Sequence, residues 1–224
     1  MTFLLVSRQR KAALLEAAKA YHQHLDLAMP YLAGDRALTR EEAEAFRLGF
    51  VKEPVTEEHE QYVGRLCIPY MTPTGIVNLK FRCTEHGSHE DCKPHGHPKY
   101  YSLSGYGVRL YNVLALMKDA TEVVVTEGEM DAVAVQSKLG IPAVGYPGAT
   151  QWSGNPHWPL IFEGYSTVYV IADGDKPGRE AAKEVARTLR NARVIQCPDE
   201  QDANDLVKTG DGRQWLADRL GIEA

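Results

Sequence analysis

Two stretches of this chain repeat one design. Residues 122–135, EVVVTEGEMDAVAV, and residues 167–183, TVYVIADGDKPGREAAK, each open with a short β-branched run that passes at once into acids and then into helix formers. Val123-Val124-Val125 and Val168-Tyr169-Val170-Ile171 are too brief for helices and read as buried strands. In an open parallel sheet, ligands bind beyond the carboxyl ends of the strands, so Glu127, Asp173 and Asp175 would share one rim. Asp173 and Asp175 lie two apart, which on an extended segment turns both side chains to one side, and Gly174 between them leaves room for close backbone approach. Three carboxylates in so small a volume cannot all stay ionised unaided. Either a proton is retained or a hard cation neutralises them, and Mg²⁺ held by a few carboxylates, waters and substrate phosphates fits best. Single acids at strand ends are ordinarily solvated or cap helices. The repetition of strand, acid and helix, with DxD in the second copy, is what predicts a metal site here.

This arrangement resembles the Toprim domain shared by DnaG-type primases, topoisomerases, RecR-type recombination proteins and some nucleases. TEGEMDA matches with Glu127 as the Toprim glutamate, ADGDKPGREAA with Asp173 and Asp175 as its DxD, and the likeness spans about residues 120–208. The resemblance implies catalytic roles for Glu127, Asp173 and Asp175 and a requirement for Mg²⁺ or Mn²⁺. Asp202, in PDEQDANDLVKTG, resembles the additional acid that primases contribute to metal binding. Asn204 stands where that family usually has a second acid, and an amide oxygen is a poorer ligand than a carboxylate.

The chain has 224 residues, with room for one large or two small domains, and at 44% hydrophobic and 25% charged residues it reads as soluble and globular. No apolar run reaches membrane-spanning length, and the opening MTFLLVSRQRK puts apolar residues ahead of positive charge, the wrong order for a secretory signal; a cytoplasmic protein is expected. A net charge of -5 argues against an indiscriminate nucleic-acid binder held mainly by phosphate neutralisation but leaves room for a local basic path. Cys67 and Cys197 lie in strand-like runs and read as small buried hydrophobes.

Residues 8–29 carry Ala and Leu at helical spacing and predict one amphipathic helix ended by Pro30. Thr39 before Glu41 and Glu42 caps a second, short helix ending near Gly49. Residues 63–82 read as a hairpin about Thr72-Pro73-Thr74-Gly75, with Pro69 marking an edge. Arg65, Lys80 and Arg82 alternate with apolar residues, either as one basic face for phosphates or as ordinary solvated positions. The following HPKYYSLSGYGVRLYNVLAL is similar to a primase segment in which a KY pair, here Lys99-Tyr100, and an LY pair, here Leu110-Tyr111, precede the Toprim strand.

Between them, CTEHGSHEDCKPHGH is dense in Cys and His. Cys83, Cys92 and any two of His86, His89, His95 and His97 could make a tetrahedral zinc site, with Cys83, His89, Cys92 and His97 the preferred set. The spacing matches no standard finger, the resemblance lends no support, and a polar surface loop is the alternative. Further on, Glu129–Leu139 predicts a helix stopped by Gly140, residues 141–145 and 193–197 predict strands, Pro177 opens a helix, and residues 213–220 form the last one. Trp152 and Trp158 should pack locally.

The fold expected is α/β: a Toprim, Rossmann-like parallel sheet over residues 119–224 with an N-terminal primase-like α+β subdomain over residues 1–118. The resemblance implies a DNA primase core without attached zinc-finger or helicase-contacting domains, joining ribonucleoside triphosphates on a single-stranded DNA template, with a replicative helicase as a partner in trans and no membrane partner. On it, Arg65, Lys80, Arg82, Lys99 and Arg109 engage triphosphate or template phosphates. A Toprim nuclease and a non-catalytic, RecR-like DNA-binding module are the alternatives. A topoisomerase ranks last, since the chain has no room for strand-passage domains.

Overall fold

The computed structural model describes residues 6–86 and 89–223, with the side chains of His89, Glu90 and Ala149 outside that description. It divides into two compact units, Met1–Gly107 and Val108–Ala224, each built on its own four-stranded sheet.

The first unit opens with α1 (Arg8–His22), capped by the Ser7 hydroxyl, which accepts from Arg10 N. The single helix expected to residue 29 is broken. A 3-10 turn at Leu25–Leu27 intervenes, and Pro30 lies in the first turn of α2 (Met29–Gly34). The N–H that proline lacks is unpaired at a helix start anyway, so Pro30 begins a helix instead of ending one. In α3 (Arg40–Ala45) the cap is reciprocal: the Thr39 hydroxyl accepts from Glu42 N, and the Glu42 carboxylate accepts from Thr39 N at 2.7 Å.

The sheet of this unit is antiparallel, in the order β1 (Gly49–Phe50), β2 (Arg65–Thr72), β3 (Gly75–Cys83) and β4 (Tyr100–Ser102). Because β1 pairs with β2 only at Leu66 and Cys67, β2 is an edge at Pro69, where a missing N–H is tolerated. Cys67, Leu79 and Phe81 share a core cluster with Leu14, Ala18 and Tyr21 of α1. A helical turn, α4 (His89–Cys92), and a 3-10 turn at Lys93–His95 link β3 to β4.

The second unit carries a parallel sheet. Its elements in chain order are β5 (Glu122–Glu127), α5 (Glu129–Leu139), β6 (Ala143–Tyr146), α6 (Ala149–Ser153), α7 (Trp158–Ile161), β7 (Thr167–Ala172), α8 (Lys176–Thr188), β8 (Ala192–Gln196), α9 (Ala203–Lys208) and α10 (Gly210–Leu220). The strand order is β6-β5-β7-β8, so the chain leaves β5 first toward one side and later returns to pair on the other. The carboxyl ends of β5 and β7 therefore flank a topological switch point, the place in such sheets where ligands bind. β7 is buried throughout and β5 at its four central residues, which is why both read as unbroken apolar runs. Val125, Val168 and Val170 join Trp152, Trp158 and Phe162 in the core, and Trp152 donates to the Thr188 hydroxyl at 3.0 Å, so both tryptophans pack locally. Leu110 belongs to this core too, and Tyr111 N donates to Gly145 O at 2.8 Å; the segment carrying the LY pair, assigned by sequence to the first domain, lies in the second unit. Among the described residues no helix is long and apolar enough to cross a membrane.

Gly145 is where the turn leaving β5 meets β6: a Cβ built on it would stand 2.2 Å from Gly128 O, an overlap with backbone that no side-chain rotation relieves. Gly145→Ala should therefore cost on the order of 1–3 kcal/mol, read as a lower urea midpoint at unchanged slope. Gly210→Ala, in open space at the start of α10, should change the midpoint little; equal losses at both positions would refute the close-approach reading.

Candidate active site

Glu127 is the last residue of β5, and Asp173 follows the last residue of β7. The two strands pair in parallel with Val125 opposite Val170, so the same register carried forward sets Glu127 opposite Ala172 and brings both acids out on one rim. Gly128, at φ +87°, turns the chain from β5 into α5 while its N–H donates to Tyr146 O at 2.8 Å. That conformation is costly for any residue with a Cβ.

The DxD segment is a turn and not a strand, so the two aspartates are not held on one side by strand alternation as the spacing suggested. β7 ends at Ala172, and Asp175 is the N-cap of α8, its Oδ1 accepting from Gly178 N at 2.7 Å. Gly174 runs backbone to backbone with the loop after β8. Its N–H donates to Gln201 O at 2.7 Å, and a Cβ on it would stand 1.8 Å from Pro198 O. Through this contact the loop delivers Asp202, the N-cap of α9, whose Oδ1 accepts from Asp205 N at 2.7 Å. Gly178 is as constrained, since a Cβ there would lie 2.6 Å from Asp173 Cβ and 2.9 Å from Asp175 Oδ1. Arg179 ties the turn from outside, donating to Gly174 O at 2.6 Å and to Asp199 at 3.2 Å.

The electrostatics follow from this crowding. Burial, then the charges of Asp202, Glu127, Asp175 and Asp205, push the Asp173 carboxyl up to about 7. Burial raises the Tyr146 hydroxyl, reinforced by Glu127, Asp173 and Asp131, and it raises the Cys197 thiol, reinforced by Asp173, Asp131, Asp202 and Asp205. Glu127, Asp131, Asp173, Asp175, Asp202 and Asp205 thus share one field. Sequence reasoning missed Asp131 and Asp205. Asp131 sits in the first turn of α5, an ordinary place for an acid, and accepts from the Asn204 N–H at 2.9 Å. Asp205 is the fourth residue of an Asp-x-x-Asp capping box, a signal that was legible. The acid that acts on Asp173 from this loop beside Asp202 is therefore Asp205, one residue beyond the buried Asn204.

A set of carboxylate oxygens that forces one member to keep its proton fits a hard divalent cation, which would take the place of that proton. Asp173, Asp202 and Asp205 are the residues that would hold it, with Glu127 on the same rim as a further ligand or as a base, and Asp175 as an exposed flanking acid. Among the described residues, the trio of ligand atoms all within 4.8 Å of one another is Cys83, His86 and His97; the carboxylates are not drawn together as tightly. His89, preferred by sequence at that Cys/His loop, has its side chain outside the described residues, and His86 stands beside Cys83 and His97.

The single basic face expected on the hairpin is not formed. A bulge at Val77 shifts the register between Tyr70 and Met71, so Arg65 pairs with Cys83 while Arg82 pairs with Leu66 and Lys80 with Ile68. Arg65 consequently points to the opposite face from Lys80 and Arg82. It is 6% exposed, donates to Pro98 O at 3.1 Å and lies over the Tyr101 ring. Arg82 is 2% exposed, against the rings of Tyr31 and Tyr100. Lys80, Lys99 and Arg109 are the members of the expected phosphate-binding set that keep partly open surface.

A family model described as Toprim-like matches residues 124–207. The Gene 57 protein of Mycobacterium phage D29 is 42% identical over 159 residues, covering 71% of this chain and 99% of that protein. Among solved structures, a DNA primase domain from Pseudomonas aeruginosa is similar with a TM-score of 0.73, covering 94% of this chain and 78% of that one at 22% identity. A DnaG primase catalytic domain bound to ssDNA is similar with a TM-score of 0.71, covering 96% and 81% at 23% identity. At these identities the structural likeness is one of fold.

The raised carboxyl gives the site a pH signature. Asp173 holds a proton up to about pH 7 in the folded chain but only to about 3.9 when unfolded. Between those values the folded state binds more protons, so without divalent cation this group's contribution to stability falls as pH rises from about 4 to about 7. Asp173→Asn removes that dependence. In EDTA the variant should gain on the parent across this window, by on the order of a few kcal/mol above pH 7, and Mg²⁺ should raise the melting temperature of the parent more than that of the variant. Parallel pH curves for the two proteins would overturn the assignment.

Proposed function

This chain belongs to the family of the mycobacteriophage D29 Gene 57 protein and carries a Toprim-like domain on the fold of DnaG primase catalytic cores, and on that footing we propose that it is a DNA primase. It joins ribonucleoside triphosphates on single-stranded DNA by Mg²⁺- or Mn²⁺-dependent nucleotidyl transfer. The observation that carries this reading is the gathering of Glu127, Asp202, Asp175 and Asp205 about Asp173 at the switch point of a parallel sheet, where burial first and those charges second push the Asp173 carboxyl up to about 7. One of the similar folds, the DnaG primase catalytic domain, is bound to ssDNA, which supports the choice of template.

A bound cation supplies Lewis acidity that lowers the pKa of a 3′-hydroxyl and neutralises charge on departing pyrophosphate. Glu127, fixed at the end of a buried strand, takes the proton from the attacking hydroxyl as general base. Asp173 and Asp202, with Asp205, would hold the cation. The Asp175 carboxylate spends one oxygen on Gly178 N, so its first task is to fix the start of α8 behind Asp173. Burial and the surrounding acids keep the Tyr146 hydroxyl protonated, so it remains a hydrogen-bond donor. Lys80, Lys99 and Arg109 meet template or triphosphate oxygens as point charges on partly open surface.

With single-stranded DNA, four ribonucleotides and Mg²⁺, the purified chain should make short RNA products. Glu127→Gln and Asp173→Ala should each reduce the yield on the order of 100-fold or more. Cleavage of labelled DNA in place of RNA synthesis would reassign the site to a nuclease, and full priming by Asp173→Ala would defeat the mechanism. Lys80→Ala should lower single-strand affinity and flatten its dependence on log salt by about 0.7, the value for one lost phosphate contact. An unchanged slope would remove Lys80 from the path.

A further inference from the structure

We propose that the loop joining β3 to β4 is a structural zinc site, with Cys83, His86, Cys92 and His97 as the four ligands. Both ends of the loop are pinned: Arg82 pairs with Tyr100, and Cys83 N donates to Lys99 O at 2.9 Å. Within it, one ligand atom each from Cys83, His86 and His97 lies within 4.8 Å of the others, and Cys83 Sγ is 3.3 Å from His86 Nδ1. Tetrahedral zinc, with Zn–S near 2.3 Å and Zn–N near 2.0 Å, sets neighbouring ligand atoms roughly 3.3–3.8 Å apart, so small side-chain shifts complete the geometry. Cys92, outside that trio but beside Cys83, supplies the fourth donor. Its side chain is fully buried and hydrogen-bonded to Cys83, and neither thiol is in a disulfide.

The composition of the loop is the second, independent argument. Residues 84–98, TEHGSHEDCKPHGHP, contain no aliphatic or aromatic hydrocarbon side chain beyond two prolines, and Cys92 is the buried residue among those described. A segment that forms a helical turn and a 3-10 turn with nothing apolar to bury lacks the usual source of order, and a four-ligand cross-link provides one. Softness selects the ion: two thiolates and two imidazoles favour Zn²⁺ over Mg²⁺, and two thiolates cancel its charge beside the buried Cys92. The second shell fits as well. His97 Nδ1 faces Pro98 O at 3.3 Å, which leaves Nε2 for the metal, and Arg65 holds the same carbonyl from the other side. The exposed His95 ring stacks on His86 at 4.2 Å between centroids and buttresses it.

This site uses none of the acids of the Toprim-like domain, so its test is separate from that of priming. The full chain, purified from zinc-supplemented cells without chelator, should contain one zinc. Its Co²⁺ form should show intense visible bands of a tetrahedral site and thiolate charge transfer. Cys83→Ser, His86→Ala, Cys92→Ser and His97→Ala should each weaken zinc retention at least 10-fold, while His95→Ala and Asp173→Ala retain it. Chelating zinc from the parent chain should speed cleavage after the exposed Glu85 by a Glu-specific protease, a readout that needs no variant to fold. A chain without zinc, one with Cys83 and Cys92 joined in a disulfide, or one whose zinc survives the double Cys83→Ser, Cys92→Ser change and leaves with Asp173→Ala, would overturn the proposal.

Discussion

Everything at the candidate active site depends on forcing like charges together, and the force comes from backbone contacts that only glycine permits. Carboxylates left to themselves separate or take up protons. Here the turn after β7 cannot move away from the loop after β8, because Gly174 and Gln201 are hydrogen-bonded and Gly174 presses on Pro198 O. Gly178 holds the start of α8 against Asp173, and Gly145 lets the Glu127 turn close on β6. None of these approaches would keep the acids in place if the strands could slide. The buried ladder from Val123 opposite Val168 to Val125 opposite Val170 prevents that. The hydrophobic sheet therefore supplies the work, and burial, reinforced by the neighbouring charges, keeps the Asp173 carboxyl raised.

What could be read from the sequence was local. The strands ending in Glu127 and Ala172, the hairpin turn, the Thr39 capping box and the Gly140 stop are each specified by a few neighbouring residues, and each stands where the pattern put it. The misreadings share a different cause. Pro30 signals a helix boundary without saying which side the helix lies on. An unbroken two-residue turn would set Arg65 on one face with Arg82, but one extra residue at Val77 reverses its side. Asp131 joins the acids through tertiary contact with Asn204, and no spacing in one chain announces such a contact.

The Cys/His loop shows the same limit in smaller compass. Its composition announced a metal-like cluster, yet four histidines competed for two places, and spacing alone could not rank them. Folded, His86 comes within 3.3 Å of Cys83, stacks on His95 and lies tilted against His97.

The cations of the hairpin are divided between two uses. Arg65 and Arg82 are spent inside the first unit, where a flat guanidinium can lie against tyrosine rings and donate to carbonyls; an ammonium group has neither the plane nor the fork for that. Lys80 covers the Tyr100 ring with its ammonium 4.4 Å from the centroid while keeping part of its surface open. On this sheet the two arginines are thus structural, and the lysine keeps open surface.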